Sequence, residues 1–96
     1  MVNPPIRVEW SDDAGRRLVW VAGEIDIATV DELRKAFDCS LSELEVDMSN
    51  VVFIDLSGLR CLVQAAVEHE TVELIPSPCV TRLLDLTRAT HLFEIR

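Results

Sequence analysis

The sequence predicts an α/β fold in which an N-terminal β-hairpin is followed by alternating helices and strands, giving a mixed, mostly parallel sheet covered by helices. Two observations support this prediction. Two runs rich in β-branched and aromatic residues flank a short polar loop near the N-terminus. Beyond them, stretches with helical spacing of apolar residues alternate with shorter runs of strand length. We expect a single domain over residues 1–96, because no Pro/Gly/Ser-rich stretch is long enough to be a linker.

The hairpin is predicted from residues 6–10 and 17–22, with the polar segment 11–15 as its loop. Trp10 and Trp20 fall in these strands, where large aromatic side chains commonly pack in the core or across strands. We therefore expect both indoles to pack in the core or across strands, although an exposed one could anchor a partner.

The first helix is predicted at about residues 29–37. The segment 23–26 interrupts the strand pattern before it. Thr29 and Glu32 have the spacing of a capping box, and apolar residues then recur at helical spacing up to Phe37.

A central strand and a second helix follow. Residues 44–48 alternate between apolar and acidic side chains, and the continuous apolar run 51–54 predicts a buried end to this strand. The next helix should begin at or beside Ser57 and end near Glu68, because apolar residues recur there with the spacing of an amphipathic helix. These residues are Leu59, Leu62, Val63, Ala66 and Val67.

The C-terminal part predicts a strand, a helix and a last short strand. Residues 71–74 alternate in polarity, and Ser77 with Pro78 supplies an N-cap and a proline at the first helical position. Apolar spacing from Val80 to Thr87 marks the third helix, and residues 93–95 can form a final strand. The predicted order is ββαβαβαβ.

Composition and charge exclude several classes of protein. The chain is 49% apolar and 27% charged, which is not the balance of a disordered protein. Seventeen acidic against nine basic residues give a net charge of −8, so we expect neither nucleic acid nor an anionic lipid surface as a partner. No apolar run approaches the roughly 20 residues that span a bilayer, and we expect a cytoplasmic protein without direct membrane insertion. The acidity suits a partner with a basic patch, or simply solubility.

Residues that carry metal or covalent chemistry are sparse. Cys39, Cys61 and Cys79 are widely spaced and lack the pattern of a zinc site, which favours buried, reduced thiols. His69 and His91 are isolated, and we expect His69 to be exposed to solvent. Neither a phosphate-binding loop nor a nucleophile-elbow motif is present. We therefore predict no metal site, no cofactor, no catalytic residue and no enzymatic activity.

Ser57 lies where a strand ends and a helix begins, so unpaired N–H groups and the helix dipole would favour an anion such as a phosphate there. Gly58 would leave the approach to its hydroxyl open, and Arg60 could neutralise a phosphoserine. The same residues also fit a plainer interpretation. Ser57 would then be an N-cap, Asp55 a partner of the dipole, and Arg60 a solvated charge.

Three motifs extend this interpretation beyond the single turn. They are GEID at 23–26, VDMS at 46–49 followed by VFIDLSGL at 52–59, and LLDLT at 83–87 followed by LF at 92–93. Together they resemble the motifs of a STAS domain of the anti-sigma factor antagonist type, in the right order and over most of the chain.

The resemblance implies that Ser57 is the phosphoacceptor and that the unphosphorylated protein binds an anti-sigma factor that is itself a serine kinase. Phosphorylation would end the interaction, a serine phosphatase acting on phospho-Ser57 would restore it, and sigma-factor-dependent transcription would be the output. ATP would enter only through the kinase. The resemblance places partner-binding residues on the turn at residues 23–26 and at the start of the second helix. They are Gly23, Glu24, Asp26, Asp55, Leu56, Gly58 and Arg60.

A second interpretation remains open, because the chain departs from the family pattern in places. Leu56 stands where many members have a second Ser or Thr, and Arg88 and Ala89 replace a common Gly-Leu after the third helix. The alternative is a STAS subunit that does not switch. It would belong to a membrane lipid-transport ATPase complex or to a stressosome-like scaffold.

Overall fold

A computed structural model describes residues 5–96, and the first four residues of the predicted domain lie outside the described part. The order of elements is ββαβαβαβ, as the sequence predicts. The strands are β1 (Ile6–Asp13), β2 (Arg16–Ile25), β3 (Glu43–Ile54), β4 (Thr71–Pro76) and β5 (Glu94–Ile95). The helices are α1 (Val30–Phe37), α2 (Leu56–Glu68) and α3 (Pro78–Thr87), and a 3₁₀ turn, Thr90–Leu92, precedes β5.

The hairpin turn is shorter than the sequence suggests. Ser11 pairs with Leu18 and Asp12 with Arg17, so only Ala14 and Gly15 lie outside the strands, and the predicted five-residue loop is wrong. Both turn residues have positive φ angles, 52° and 82°, as in the two-residue turns whose twist matches that of antiparallel strands. The polar residues before the turn are therefore part of the ladder and not of a loop.

The five strands lie in sequence order, with β1 antiparallel to β2 and the other neighbours parallel. Each parallel connection contains one helix and moves one strand further in the same direction. Because such crossovers are right-handed, α1, α2 and α3 all pack against one face of the sheet. Among residues 5–96, no helix covers the opposite face, which we call the open sheet face.

The core lies between the helices and the sheet face that they cover. Alternate strand residues such as Val46 and Leu74 point into it and meet Leu33, Leu62 and Leu84 from the helices. Each of these side chains is fully buried, which stabilises the fold by roughly 1.5–3 kcal/mol per side chain.

The buried stripe of α2 differs from the predicted one. Val67 is exposed, whereas Cys61 and Ala65 are buried beside Leu62. Leu59 and Leu62 are buried as predicted, and the buried stripe comprises residues 58, 59, 61, 62 and 65. The helix ends at Glu68, as predicted.

His69 is buried, and the prediction that it is exposed to solvent is wrong. It is the C-cap of α2, and its ring nitrogens lie 2.6 Å from the carbonyl oxygen of Leu41 and 3.1 Å from that of Phe37. The imidazole thus joins the end of α2 to the segment after α1. Its neighbours in sequence gave no indication of this, because both carbonyls belong to a distant part of the chain.

All three cysteines are free thiols, and only Cys61 is buried. Trp10 is 47% exposed, with the Arg17 guanidinium 5.4 Å from its ring centroid, while Trp20 is partly buried on the open sheet face. None of the helices in residues 5–96 has the length and apolar character needed to cross a membrane.

Candidate partner-binding site

The two turns singled out by the sequence lie side by side. Ile25 and Ile54 are register partners at the ends of two parallel strands, and the Asp55 backbone N–H donates to the Ile25 carbonyl at 3.1 Å. Asp26 and Asp55 each follow their strand directly. They therefore meet at the carboxyl edge of the sheet, which is where α/β proteins commonly bind their ligands.

Asp55 is the N-cap of α2, and Ser57 is the second residue of the helix. One Asp55 carboxylate oxygen accepts from the Ser57 N–H at 2.9 Å, the Gly58 N–H at 3.2 Å and the Ser57 hydroxyl at 2.5 Å. The hydroxyl bond, helped by the two backbone N–H groups, lowers the pKa of Asp55. The interpretation of Ser57 as the N-cap is therefore wrong, since Asp55 performs this role.

The Ser57 hydroxyl is partly exposed and is oriented by Asp55. The expectation that free N–H groups would receive a phosphate is wrong for Ser57 and Gly58, because Asp55 already binds both. A phosphoryl group on Ser57 would instead lie beside a carboxylate. Two like charges at this distance repel, so phosphorylation would change the electrostatics of the turn.

Asp26 organises the first turn in a similar way. Its carboxylate accepts from the N–H groups of Ala28 at 2.9 Å and Thr29 at 3.1 Å. Thr29 is buried, and its hydroxyl donates to the Glu24 carbonyl at 2.8 Å and accepts from the Asp26 N–H at 2.9 Å. The predicted capping box is wrong, because the Thr29 hydroxyl binds residues before the helix.

Gly23 is required by the backbone at this edge. Its φ angle is +101°, and a Cβ there would lie 2.3 Å from the Pro5 carbonyl oxygen, which accepts from the Glu24 N–H. Pairing of β2 with β3 continues through Ile25, so segment 23–26 does not end the strand as predicted. Glu24 itself is exposed.

The end of β3 exposes two apolar side chains that the sequence predicted to be buried. Two register shifts against β2 each add one residue to β3, so burial recurs at every third residue, at Met48, Val51 and Ile54. Val52 is 72% exposed and Phe53 47% exposed. The prediction of a fully buried run is wrong for these two residues.

Ile27 and Leu56 add to this exposed apolar surface. They are 82% and 62% exposed and lie in the turn after β2 and at the start of α2. We call Ile27, Val52, Phe53 and Leu56 the edge patch. Of these four residues, only Leu56 was among the predicted partner-binding residues, although an isoleucine in a turn between an Asp and a helix start is a recognisable signal.

Gly58 and Arg60, both predicted partner-binding residues, differ in exposure. Gly58 is buried, and a Cβ on it would lie 2.7 Å from both Ile25 Cγ2 and Ile54 Cγ1. The interpretation that it keeps the approach to Ser57 open is therefore wrong, because its missing side chain lets α2 approach the sheet. Arg60 is exposed one turn into α2.

Comparisons with known proteins agree with this architecture. A family model described as "Mlab, STAS domain" matches residues 6–94. The crystal structure of an anti-sigma factor antagonist from Mycobacterium paratuberculosis is similar, with a TM-score of 0.86 and 26% identity over 99% of this chain and 89% of that chain. Among curated proteins, none matches the sequence significantly.

Two further structures share the fold at lower identity. The anti-sigma factor antagonist SpoIIAA in its unphosphorylated form has a TM-score of 0.77 and 17% identity, over 94% of this chain and 88% of that chain. The Bacillus cell fate determinant SpoIIAA in the phosphorylated form has a TM-score of 0.74 and 15% identity, over 94% of this chain and 91% of that chain.

Proposed function

Because this chain belongs to the STAS domain family and has the fold of anti-sigma factor antagonists, we propose that it binds an anti-sigma factor serine kinase and releases it when Ser57 is phosphorylated. Sigma-factor-dependent transcription in the cytoplasm is the output of this switch. The chain performs no catalysis itself. The kinase supplies ATP, and a serine phosphatase acting on phospho-Ser57 resets the protein.

One observation carries the proposal: the Ser57 hydroxyl lies at the same sheet edge as the edge patch. Leu56 precedes it in α2, and Val52 and Phe53 lie just before the end of β3, the adjoining strand. Exposed apolar side chains at a sheet edge are typical of a docking surface. A hydroxyl beside such a surface can be buried under a partner, whereas a phosphate carrying about −1.5 to −2 charges cannot be buried without a large desolvation cost.

The acidic side chains around the edge patch define the partner's surface. Glu24, Asp26 and Asp55 are at least partly exposed there, so the partner should offer apolar side chains ringed by basic ones. Leu56 would contribute apolar area, and Arg60 would contact an acidic group of the partner. Gly23 and Gly58 would act indirectly, by shaping the two turns.

The test is capture of partners from the native host with Ser57→Ala and Ser57→Asp as baits. We expect Ser57→Ala to retain an anti-sigma factor kinase and Ser57→Asp to lose it by about tenfold or more, which corresponds to roughly 1.4 kcal/mol of binding energy. Peptide mapping of the protein from the same cells should find phosphate on Ser57. Equal capture by the two baits, together with an unmodified Ser57, would overturn the proposal.

The chain provides a matched control for this experiment. The Ser49 hydroxyl donates to the Asp47 carboxylate at 2.6 Å, and its N–H donates to the same oxygen at 3.0 Å, much as Ser57 binds Asp55. Ser49→Asp adds the same charge within β3, outside the two turns of the candidate site. We expect it to capture the kinase as well as the unsubstituted chain does.

The edge patch also supports a second candidate function. Permanent interfaces are more apolar than transient ones, so the same surface suits a STAS subunit that stays in a membrane lipid-transport ATPase complex or a stressosome-like scaffold. Ser57→Asp would then leave the complex intact, whereas Phe53→Glu would dissociate it. Co-purification of a transporter ATPase with both Ser57 variants would favour this candidate.

A further inference from the structure

The open sheet face is a second surface that the proposed function does not use. We propose that it binds a basic amphipathic helix of a partner protein, independently of the edge patch. The proposal rests on the charge of this face, on its apolar centre and on an arginine of the chain that already lies on it.

The topology determines which side chains form the open sheet face. Val19, Val46 and Leu74 are buried under the helices, so their alternating neighbours point the other way. Trp20 and Asp47 are register partners, and Asp47 in turn pairs with Ile75. The same alternation extends to β1 and β5 through their pairing with β2 and β4.

The open sheet face is strongly acidic. It carries seven acidic side chains and three arginines, a net charge of −4, which is half of the −8 of the whole chain. The acidic residues are Glu9, Asp13, Glu43, Glu45, Asp47, Glu73 and Glu94, and the basic ones are Arg7, Arg16 and Arg96.

An apolar strip lies among these charges. Leu18, Trp20 and Ile75 are partly exposed and line an open groove of about 360 Å³, together with Glu9 and Glu45. Partly exposed tryptophans at the centre of a groove are frequent anchors of protein interfaces. The groove thus combines apolar side chains with carboxylates that lie between and beside them.

Arg96 shows that this face accepts a guanidinium. Its side chain forms an ion pair with Glu45, and its Nε lies 3.1 Å from a carboxylate oxygen of Glu73. Glu45 and Glu73 are register partners on neighbouring strands, so their carboxylates form a ready pair for a cation. Glu9 and Asp47 flank Trp20 on the neighbouring strands and also line the groove, where they would receive further basic side chains.

The negative charge and the width of the open sheet face indicate which kind of partner it can bind. A nucleic acid, an anionic lipid surface or a second copy of this chain would bring negative charge to a negative surface. The strands are about 4.8 Å apart, so the five-stranded face is roughly 20 Å wide, enough for a helix about 10 Å across. A helix with an apolar stripe flanked by Arg or Lys would cover Leu18, Trp20 and Ile75. It would pack on this face as α1, α2 and α3 pack on the other.

The test uses an 18-residue peptide of Leu and Arg with leucines at helical spacing, and a scrambled peptide of the same composition. Titrations are followed by amide chemical shifts. We expect the amphipathic peptide to shift β2, β3 and β4 amides around Trp20 and to bind about tenfold tighter than the scrambled one. Equal affinities, or shifts confined to the helices or the edge patch, would overturn the proposal.

Charge variants complete the experiment. Glu9→Gln with Glu45→Gln should weaken peptide binding by about tenfold, whereas Asp31→Asn with Glu32→Gln, the same charge change on exposed residues of α1, should change it by less than about twofold. Ser57→Asp should also bind normally, which separates this surface from the proposed switch. Equal weakening by both double variants, or dimerisation that protects the same β2–β4 amides, would contradict the assignment.

Discussion

Replacing Gly58 by alanine tests how closely α2 must approach the sheet. The added Cβ would lie 2.7 Å from Ile25 Cγ2 and Ile54 Cγ1, and 3.1 Å from Ile54 Cδ1. Real Cβ contacts are longer, so the helix start or the two isoleucines must shift. Because this turn holds Asp55 and Ser57, a shift there would also displace the candidate partner-binding site.

The magnitude follows from two opposing effects. Overpacking of a buried site costs about 1–3 kcal/mol, and two contacts at this distance favour the upper part of that range. Alanine in place of glycine within a helix recovers up to about 1 kcal/mol of backbone entropy. We expect Gly58→Ala to lower the free energy of unfolding by about 1–2 kcal/mol, which corresponds to a melting temperature lower by roughly 5–15 °C.

The assay is urea and thermal unfolding of Gly58→Ala beside two controls. Gln64 is exposed in the same helix, so the difference between Gln64→Ala and Gln64→Gly measures the propensity effect without overpacking. The second control is a double-mutant cycle with Ile54→Ala, which removes one of the contacted side chains. A coupling of about 1 kcal/mol that favours the double variant is expected. A Gly58→Ala protein as stable as the unsubstituted chain would refute the steric argument.

Three further outcomes are expected. Asp55→Ala should lower the free energy of unfolding by about 1 kcal/mol at neutral pH through loss of the N-cap. The folded pKa of Asp55 is below its ordinary value of 3.8, so the stability that Asp55 contributes is present above pH 3.8 and is lost as the pH falls through the folded pKa. A stability difference between Asp55→Ala and the unsubstituted chain that persisted unchanged at pH 2 would contradict this. Burial raises the pKa of Cys61 to about 11, so iodoacetamide at pH 8 should alkylate it more slowly than Cys39 and Cys79, and equal rates in mass spectra would exclude this protection. His69→Ala should cost about 1–3 kcal/mol in urea unfolding because the buried imidazole and its contacts with the Leu41 and Phe37 carbonyls are lost, and a neutral substitution would show that these contacts add nothing.

Local sequence signals predicted the elements of the fold well. Strand and helix positions depend on periodicities that neighbouring residues carry, so the start of α3 at Ser77 and Pro78 and the end of α2 at Glu68 were predicted correctly. The family motifs also identified the two turns that meet at the sheet edge, because Asp26 and Asp55 each follow a strand directly.

Hydrogen-bond partners and exposure at the site were predicted less well. Thr29 has the spacing of a capping box, yet its hydroxyl binds the Glu24 carbonyl, because the chain turns back on itself before α1. A serine or an aspartate can equally cap a helix, and only the geometry of the turn assigned that role to Asp55.

The amino-acid pattern by itself determined the order of elements, the acidic character and the motif around Ser57, because each is a property of residues close in sequence. Only the tertiary structure decided which side chains are buried and which are exposed. The exposure of Val52 and Phe53 results from register shifts between β2 and β3. The burial of His69 results from contact with a segment some 30 residues away. Strand register and long-range packing arise only when distant segments meet, so no local pattern encodes them.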